Sequence, residues 1–281
     1  MPELPEVETI CRQLAQRVRG RRLTRVEVLD PRWSAPLPAD ECGEALEGHT
    51  VTRLWRRGKY LVWQLDGDLH LLMHLRMTGT LLYDPPVDPP HTRVRIAFDD
   101  GHRVTFVDPR RFGTGQLVQG AAALSEFFEA RLGVEPFSDA CTPEHLRALA
   151  RSSRAPIKAF LLDQRRIAGV GNIYADEALY RARIHPLRPA GRLSLAQWRA
   201  LVAAVREALS AGIEAGGATI DDFRDLDGAR GAFQDRFLIH RREGEPCPTC
   251  GGVVRKLVVG GRGTYVCERC QPRPRRRGGG R

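Results

Sequence analysis

Four cysteines near the end of the chain form the most specific chemical pattern in the sequence. They make two Cys-x-x-Cys pairs separated by sixteen residues, Cys247 with Cys250 and Cys267 with Cys270. Two such pairs supply four thiolates, which is the ligand set of a tetrahedral zinc ion. Because every ligand position is a cysteine, no coordination site stays open for a substrate. The sequence therefore predicts one structural zinc and no catalytic metal.

The N-terminus carries a second chemical possibility. Proline at position 2 is small enough that we expect Met1 to be removed, which leaves a secondary amine on Pro2. An α-amine has a reference pKa of about 7.7–8.0, so part of it is unprotonated and nucleophilic near neutral pH. Attack on a sugar C1′ would give an iminium that permits elimination, with Glu3 and Glu6 beside it as proton carriers. The same residues also fit a plain helix start with acidic side chains in the first turn.

A glycine-bearing turn, Gly-Val-Gly-Asn, ends at Asn172. The pattern predicts a helix that ends near Gln164, a turn through Gly169 and Gly171, and a new helix for which Asn172 is a good N-cap. The first N–H groups of such a helix form an anion site. A helical hairpin that uses glycine and asparagine only as caps is the alternative.

Basic and apolar residues also lie on predicted loops. Lys59 follows Gly58 at the start of a strand, Met77 lies in a turn, and Arg110 and Phe112 lie on a loop after a strand. Cations suit phosphates, and an apolar side chain can fill a vacated base stack in DNA. Core packing is the more common role of Met and Phe. His91, in a proline-rich loop, carries no signal alone.

The elements that must position these residues change type along the chain. Residues 5–19 have one apolar helical face. From 23 to 119 the period is two, and Asp66-Gly67 and Asp100-Gly101 are turn dipeptides, which is typical of an antiparallel sandwich or barrel. The predicted strands are 24–29, 50–55, 59–65, 69–75, 93–98, 103–107 and 114–119.

Helical patterns follow residue 121. The longest covers 194–217 and opens with a Ser194–Gln197 capping box. Thr142-Pro143 is a good cap and first turn for another helix. We therefore expect four regions: a helix plus β domain (1–120), a helical domain (121–244), a zinc hairpin (245–271) and a basic disordered tail (272–281).

Composition bounds the class of protein. Lys and Arg number 44 against 34 Asp and Glu, a net charge of +10, but only three of the cations are lysines and five arginines lie in the last ten residues. A basic protein favours nucleic acid or acidic lipid as a partner. No apolar run is long enough to span a membrane and no secretory signal is present, so we expect a cytoplasmic, nucleoid-associated protein. Nothing resembles a dimer seam, and a monomer is expected.

Taken in this order, the motifs resemble those of the bacterial formamidopyrimidine-DNA glycosylases. The matching segments cover residues 1 to about 271. They are MPELPEVE, GKYL, HLRMTG, DPRRFG, PIKAFLLDQ, GVGNIYADEAL, FQ with the later REGEPC, and the four-cysteine hairpin. The resemblance implies an α+β multidomain fold with an N-terminal antiparallel β-sandwich, a helix–two-turn–helix domain and a C-terminal zinc β-hairpin. It implies a bifunctional base-excision-repair enzyme that removes oxidised purines from double-stranded DNA and cleaves abasic sites by β,δ-elimination, without an organic cofactor.

The resemblance also implies residue roles. Pro2 would be the Schiff-base nucleophile and Glu3 the general acid/base, while Lys59 and Arg262 would contact phosphate and assist β- and δ-elimination. Arg110 would face the orphan base. The residues that would fill the gap or contact the DNA backbone are Met77, Arg110, Phe112, His91, Arg154, Lys158 and Asn172.

Residues 216–237 match the family's lesion-pocket loop only in outline, because they are unusually acidic. Two other functions stay open on the sequence. One is a glycosylase of the endonuclease VIII type, which acts on oxidised pyrimidines. The other is a non-catalytic DNA-binding zinc protein, with a zinc-ribbon RNA-binding protein as a more distant possibility.

Overall fold

The computed structural model describes residues 2–221 and 223–274, and these fall into two units. The first unit contains the chain up to Arg131 together with Gly212–Gln234. The second contains Leu132–Ala211 and the chain from Asp235 onward. The predicted division at 120/121 and 244/245 stays a prediction, and of the predicted basic tail, residues 275–281 lie outside the described part of the chain.

The first unit is built on two four-stranded antiparallel sheets. Their strand orders are β1-β6-β7-β5 and β2-β3-β4-β8. The alternating sequence pattern places one face of each strand in a shared apolar core, as a sandwich requires. The strands are β1 Leu23–Val28, β2 Val51–Arg57, β3 Tyr60–Leu65, β4 Leu69–His74, β5 Thr80–Tyr83, β6 Thr92–Phe98, β7 Arg103–Val107 and β8 Thr114–Gln119.

The register of the sheets follows the predicted turns. A turn at Asp66–Asp68 joins β3 to β4, and Tyr60 of β3 pairs with His74 of β4. The second turn dipeptide, Asp100-Gly101, joins β6 to β7. The predicted antiparallel architecture is therefore confirmed. The edge strand β5 was not expected, because it has only four residues and depends on pairing with β7.

The described residues up to Arg131 form four α-helices in the first unit. The predicted N-terminal helix is confirmed as α1, and its apolar face, from Leu4 to Val18, is buried. Two short helices between β1 and β2 were not expected, since neither is long enough to show a helical period. The bounds are α1 Leu4–Val18, α2 Pro31–Ser34, α3 Ala39–Leu46 and α4 Ala121–Glu129.

Helices dominate the second unit. Thr142 caps its helix by accepting a hydrogen bond from the His145 N–H at 3.1 Å, as predicted. The Ser194–Gln197 capping box is also present, with reciprocal bonds of 3.0 and 3.2 Å. The helices are α5 Pro143–Ala150, α6 Ile157–Leu162, α7 Asn172–Arg181 and α8 Leu195–Glu214, the last of which runs on into the first unit.

The cysteine-rich module is a two-stranded hairpin. Strand β9 (Arg255–Val259) pairs with β10 (Arg262–Val266) in antiparallel register. Gly260 and Gly261 form the two-residue turn with φ angles of 56° and 73°. Residues that carry a Cβ rarely adopt such positive φ angles. The predicted hairpin is confirmed. In the described part of the chain, no helix combines the length and apolarity that crossing a membrane would need.

Candidate functional site

The four cysteines of the hairpin module come together as a metal site. Their Sγ atoms all lie within 4.8 Å of one another, and the Cys247–Cys270 separation is 3.8 Å. Tetrahedral Zn–S bonds of about 2.3 Å require sulfur atoms about 3.8 Å apart. The residues therefore fit one structural zinc ion.

Side chains outside the cluster hold two of these cysteines. The Tyr180 hydroxyl, on α7, lies 3.0 Å from the Cys247 Sγ and 2.7 Å from the Thr249 Oγ1. Gln271 accepts a bond from the Cys267 N–H at 3.1 Å and donates to the Ile184 carbonyl at 2.9 Å. Such outer contacts orient metal ligands and attach the hairpin to the helices of its unit.

A buried ion pair lies beneath the tip of the hairpin. The Lys158 Nζ donates to the Asp176 Oδ1 at 2.7 Å, to the Gly263 carbonyl at 3.1 Å and to the Thr264 Oγ1 at 2.8 Å. Lys158, Asp176 and Thr264 are all essentially inaccessible to solvent. The ammonium therefore joins helices α6 and α7 to the strand that carries Arg262.

The same carboxylate continues the network to the segment before the hairpin. The Asp176 Oδ2 lies 2.8 Å from the His240 Nδ1. The neighbouring Glu177 carboxylate accepts three backbone N–H bonds of 2.9–3.0 Å, from Leu238, Ile239 and His240. Two consecutive acidic residues of α7 thus fix the chain that leads into the zinc module.

The structure corrects the local prediction for Asn172. The N-cap of α7 is Gly171, and Asn172 is the first helical residue. Its side chain does not cap the helix, because its Nδ2 donates to the Gly263 carbonyl at 3.1 Å. Among the described residues, the buried Asn172 Oδ1 has no hydrogen-bond partner.

The remaining predicted contact residues of the second unit differ in exposure. Arg262 and Arg154 are exposed, whereas Lys158 has no exposed surface. The predicted helix end near Gln164 moves to Leu162, since Asp163 already has an extended conformation. Direct DNA contact by Lys158 stays a prediction, and in the structure its partners belong to the protein.

In the first unit, Pro2 and Glu3 lie buried at the start of α1. Glu3 is the N-cap residue, and its backbone N–H donates to the Glu6 Oε2 at 2.8 Å. The Glu6 Oε1 accepts from the Ala218 N–H at 2.7 Å. One carboxylate therefore joins the chain terminus to the acidic loop that follows α8.

Lys59 is also buried, at the turn between β2 and β3. The nearby His74 packs edge-on against Tyr60, with ring centroids 4.7 Å apart, and its Nδ1 accepts from the Arg76 N–H. Burial, together with the positive charges of Arg76 and Lys59, lowers the pKa of His74 to about 3. The imidazole beside Lys59 is therefore neutral at physiological pH.

The three predicted gap-filling residues lie on two neighbouring loops of this unit. Met77 is partly exposed in the turn after β4. Arg110 and Phe112 lie on the loop after β7, where the guanidinium carbon is 4.9 Å from the ring centroid and Phe112 is 51% exposed. His91 is exposed at the start of β6. These side chains present cationic and apolar surface together.

Sequence reasoning missed the carboxylates that position these residues. Asp108 and Asp30 in the first unit are buried and accept hydrogen bonds from the loop that carries Arg110 and Phe112. Asp176 and Glu177 in the second unit are buried and accept from Lys158 and from the backbone of residues 238–240. Asp108 opens the DPRRFG motif and Asp176 lies within GVGNIYADEAL, so both were in view as letters of a motif. An acidic residue to which the motif assigns no chemical role is the signal that could have found them.

Comparisons with known proteins cover almost the whole chain. Residues 1–115 match the formamidopyrimidine-DNA glycosylase N-terminal domain, residues 132–224 match the formamidopyrimidine-DNA glycosylase H2TH domain, and residues 244–273 match a zinc finger found in FPG and IleRS. The formamidopyrimidine-DNA glycosylase of Roseiflexus sp. is 47% identical over 279 residues, which are 96% of this chain and 100% of the relative.

Solved structures agree with these matches. The crystal structure of the MutM (Fpg) protein of Thermus thermophilus superposes with a TM-score of 0.87 at 42% identity, covering 98% of this chain and all of that one. A Lactococcus lactis Fpg variant in complex with Fapy-dG containing DNA gives a TM-score of 0.90 at 33% identity, covering 97% and 100%.

Proposed function

The chain belongs to the formamidopyrimidine-DNA glycosylase family, and from this premise we propose that it excises oxidised purines from duplex DNA. Its targets would be chiefly 8-oxoguanine and formamidopyrimidines. It would then cleave the strand at the resulting abasic site by β,δ-elimination. The observation that supports this most is the N-terminus, where Pro2 and Glu3 lie together at the start of α1, with Glu6 hydrogen-bonded to the Glu3 backbone.

Pro2 is the proposed nucleophile. Once Met1 is removed, the Pro2 nitrogen attacks C1′ of the damaged nucleotide, the glycosidic bond breaks, and its electron pair leaves with the base. The Pro2 nitrogen loses its proton, the departing base and the ring oxygen O4′ each take one up, and the C1′–O4′ bond opens. The product is an iminium between Pro2 and the ring-opened sugar. Because the iminium is an electron sink, loss of a C2′ proton then expels the 3′ phosphate in β-elimination, and δ-elimination expels the 5′ phosphate.

Glu3 is the proposed proton carrier. Its burial beside Pro2 excludes bulk water from the reacting atoms, so proton transfer depends on a positioned group. The Glu6 carboxylate is occupied by the backbone N–H groups of Glu3 and Ala218. The Glu3 side chain also accepts a hydrogen bond, from the Glu6 backbone N–H of the capping box. We assign proton transfer to Glu3 because it adjoins Pro2, and a positioning role to Glu6 because its carboxylate joins the Glu3 and Ala218 backbones.

Cations hold the DNA backbone in this proposal. Lys59 and Arg262 contact the phosphates that leave in β- and δ-elimination, and His91, Arg154 and Asn172 bind the flanking backbone. Lys158 acts from inside the protein, because its ammonium holds the backbone at Gly263, next to Arg262. The zinc ion itself would supply no chemistry to the reaction and would keep the hairpin folded.

Access to a damaged base requires its extrusion from the duplex, which costs a few kcal/mol. Met77, Arg110 and Phe112 would enter the vacated stack, with Arg110 facing the orphan base. Their shared cationic and apolar surface supports this assignment. The proposed setting for this chemistry is the chromosome, in the nucleoid.

Borohydride trapping tests the proposal directly. Purified protein, with intact mass verifying the loss of Met1, is incubated with duplex DNA that contains one 8-oxoguanine opposite cytosine, reduced with borohydride, and the adduct is mapped. We expect a covalent adduct on Pro2, and none with Pro2→Gly carrying an acetylated terminus.

Two results would contradict the proposal. Trapping on thymine glycol but not on 8-oxoguanine would assign the chain to oxidised pyrimidines. Zinc-loaded protein that lacks Met1, binds the duplex and forms no adduct on either lesion would be a non-catalytic binder.

A further inference from the structure

The two loops that carry the proposed gap-filling residues meet at one side chain, Asp108. The first loop is the turn of Met77 and Thr78 after β4, and the second runs from Asp108 to Gly113 after β7. Asp108 is completely buried although both loops reach the surface. Nothing in the proposed chemistry uses this carboxylate, so its burial between the loops needs another explanation.

The Asp108 carboxylate accepts four hydrogen bonds. Its Oδ1 accepts from the Thr78 hydroxyl, which belongs to the first loop, and from the Arg110 N–H at 3.2 Å. Its Oδ2 accepts from the Phe112 N–H at 2.9 Å and the Gly113 N–H at 2.7 Å. One carboxylate therefore fixes the backbone of both Arg110 and Phe112 and ties it to the residue next to Met77.

The backbone of Asp108 extends this arrangement to a third loop. Its N–H donates to the His91 carbonyl at 3.1 Å, and its own carbonyl accepts from the Arg93 Nε at 2.9 Å. Asp108 therefore contacts the chain at Arg110, Phe112 and His91, and next to Met77. These are the residues of the first unit that we propose to enter or flank the base stack.

Packing leaves these loops little room to move. A Cβ on Gly79 would lie 2.8 Å from the Phe106 ring, and a Cβ on Gly113 would lie 2.4 Å from the same ring. Both loops therefore approach the same aromatic ring closely. On the outer side, Arg111 makes a bidentate ion pair with the buried Asp30, at 2.6 and 2.8 Å.

We propose that Asp108 is a positioning residue that holds the Met77, Arg110 and Phe112 wedge in its inserting conformation before DNA is bound. The inference rests on the proposed function, in which the wedge replaces an extruded nucleotide. A wedge ordered during folding costs no further loop entropy when the base leaves the stack. Asparagine cannot replace the carboxylate, since its amide nitrogen would face N–H or O–H donors.

The test separates base extrusion from chemistry. Asp108→Asn is compared with wild type in single-turnover assays on two substrates: a duplex with 8-oxoguanine opposite cytosine, and a single-stranded oligonucleotide with one abasic site. The single strand has no duplex stack to open, so the lyase step on it does not require insertion of the wedge. We expect about a tenfold loss of excision rate on the duplex and less than about a twofold loss on the single strand.

Matched variants control for the substitution. Asp68→Asn changes a carboxylate of the same unit that accepts from the Ala121 N–H and contacts neither loop, so both rates should stay at the wild-type values. Thr78→Val removes one of the four donors to Asp108 and should lower the duplex rate by about threefold. If Asp108→Asn does not fold, Thr78→Val alone decides the proposal.

Equal losses on the two substrates, or no loss on either, would overturn the positioning role. The proposed function can fail separately, if wild type does not excise 8-oxoguanine. In that case wedge insertion is monitored through the fluorescence of 2-aminopurine placed beside an abasic site in a duplex. Asp108→Asn should slow that signal relative to Asp68→Asn, and an unchanged signal would overturn the proposal.

Discussion

The β-sheet unit and the zinc hairpin hold their predicted DNA-contacting residues in different ways. The sheets surround one large apolar core, and the loops above it are fixed by a carboxylate that accepts backbone N–H groups. The apolar cluster of the hairpin is small and consists of Tyr180, Ile239, Val254 and two of the cysteines. Its tip is fixed by a buried ion pair.

This difference teaches what a short hairpin needs in order to present a cation at a defined position. Two strands bury too little apolar surface to be stable alone. A metal site and a buried charge pair supply the missing constraint, although the charge pair is costly to desolvate. The sheet unit has a large core and can hold its loops with a single acceptor.

Removal of zinc should separate the two regions most clearly. With a strong chelator we expect loss of the hairpin, because a structural zinc site of four thiolates contributes on the order of 10 kcal/mol to such a module. Hydrogen exchange should show β9 and β10 deprotected while β6 and β7 keep their protection. Protected hairpin amides in zinc-free protein would mean that the apolar cluster is sufficient.

Asp176→Ala should cause the next largest effect. It leaves the Lys158 ammonium buried without its partner, and we expect a loss of about 3–5 kcal/mol in the free energy of unfolding, measured with denaturant. Asp108→Asn should cost less, about 1–3 kcal/mol, because the donors it leaves unpaired lie on surface loops. Equal losses would remove the distinction between the two carboxylates.

The pH dependence of the sheet unit should come partly from His74. Its folded pKa of about 3 lies below the unfolded value of about 6.5. Its contribution to the free energy of unfolding is therefore complete above pH 6.5 and declines as the pH falls toward 3. At pH 5 the decline is about 1–2 kcal/mol. His74→Asn should therefore destabilise the protein less at pH 5 than at pH 7, with zinc saturating at both. The same loss at both values would contradict the neutral imidazole.

The Asp30–Arg111 ion pair should give the smallest effect. The hydrogen bond from Arg111, opposed in part by burial, holds the pKa of Asp30 below its ordinary value. The contribution of the Asp30 carboxylate to the free energy of unfolding is therefore present above about pH 4 and is lost as the pH falls through the lowered pKa. Because Arg111 is partly exposed, we expect Asp30→Asn to cost less than about 1 kcal/mol, and less still in about 1 M salt.

Local patterns in the sequence predicted local structure well. Helix α1, the Ser194 capping box and the hairpin between the cysteine pairs were predicted because each depends on residues only a few positions apart. The antiparallel sheets followed from alternation and turn dipeptides. Strand β5 and the short helices α2 and α3 were missed, since only tertiary contacts distinguish them from loops.

The predicted site was limited in the same way. The type and spacing of the cysteines were enough to predict the metal site, whose geometry fits zinc. The protein contacts of Asn172 and Lys158 could not be predicted, because both side chains donate to the Gly263 carbonyl, far along the chain. The role of Asp108 could not be predicted for the same reason, since it depends on Thr78 and His91 from other loops.

The scarcity and burial of lysine have a practical consequence for chemical labelling. Two of the three lysines in the sequence, Lys59 and Lys158, are buried, and only Lys256 is substantially exposed. A folded sample therefore offers few primary amines to acylating or carbonyl reagents. Such reagents therefore meet little lysine background, and a single Lys256→Arg substitution would remove most of what remains.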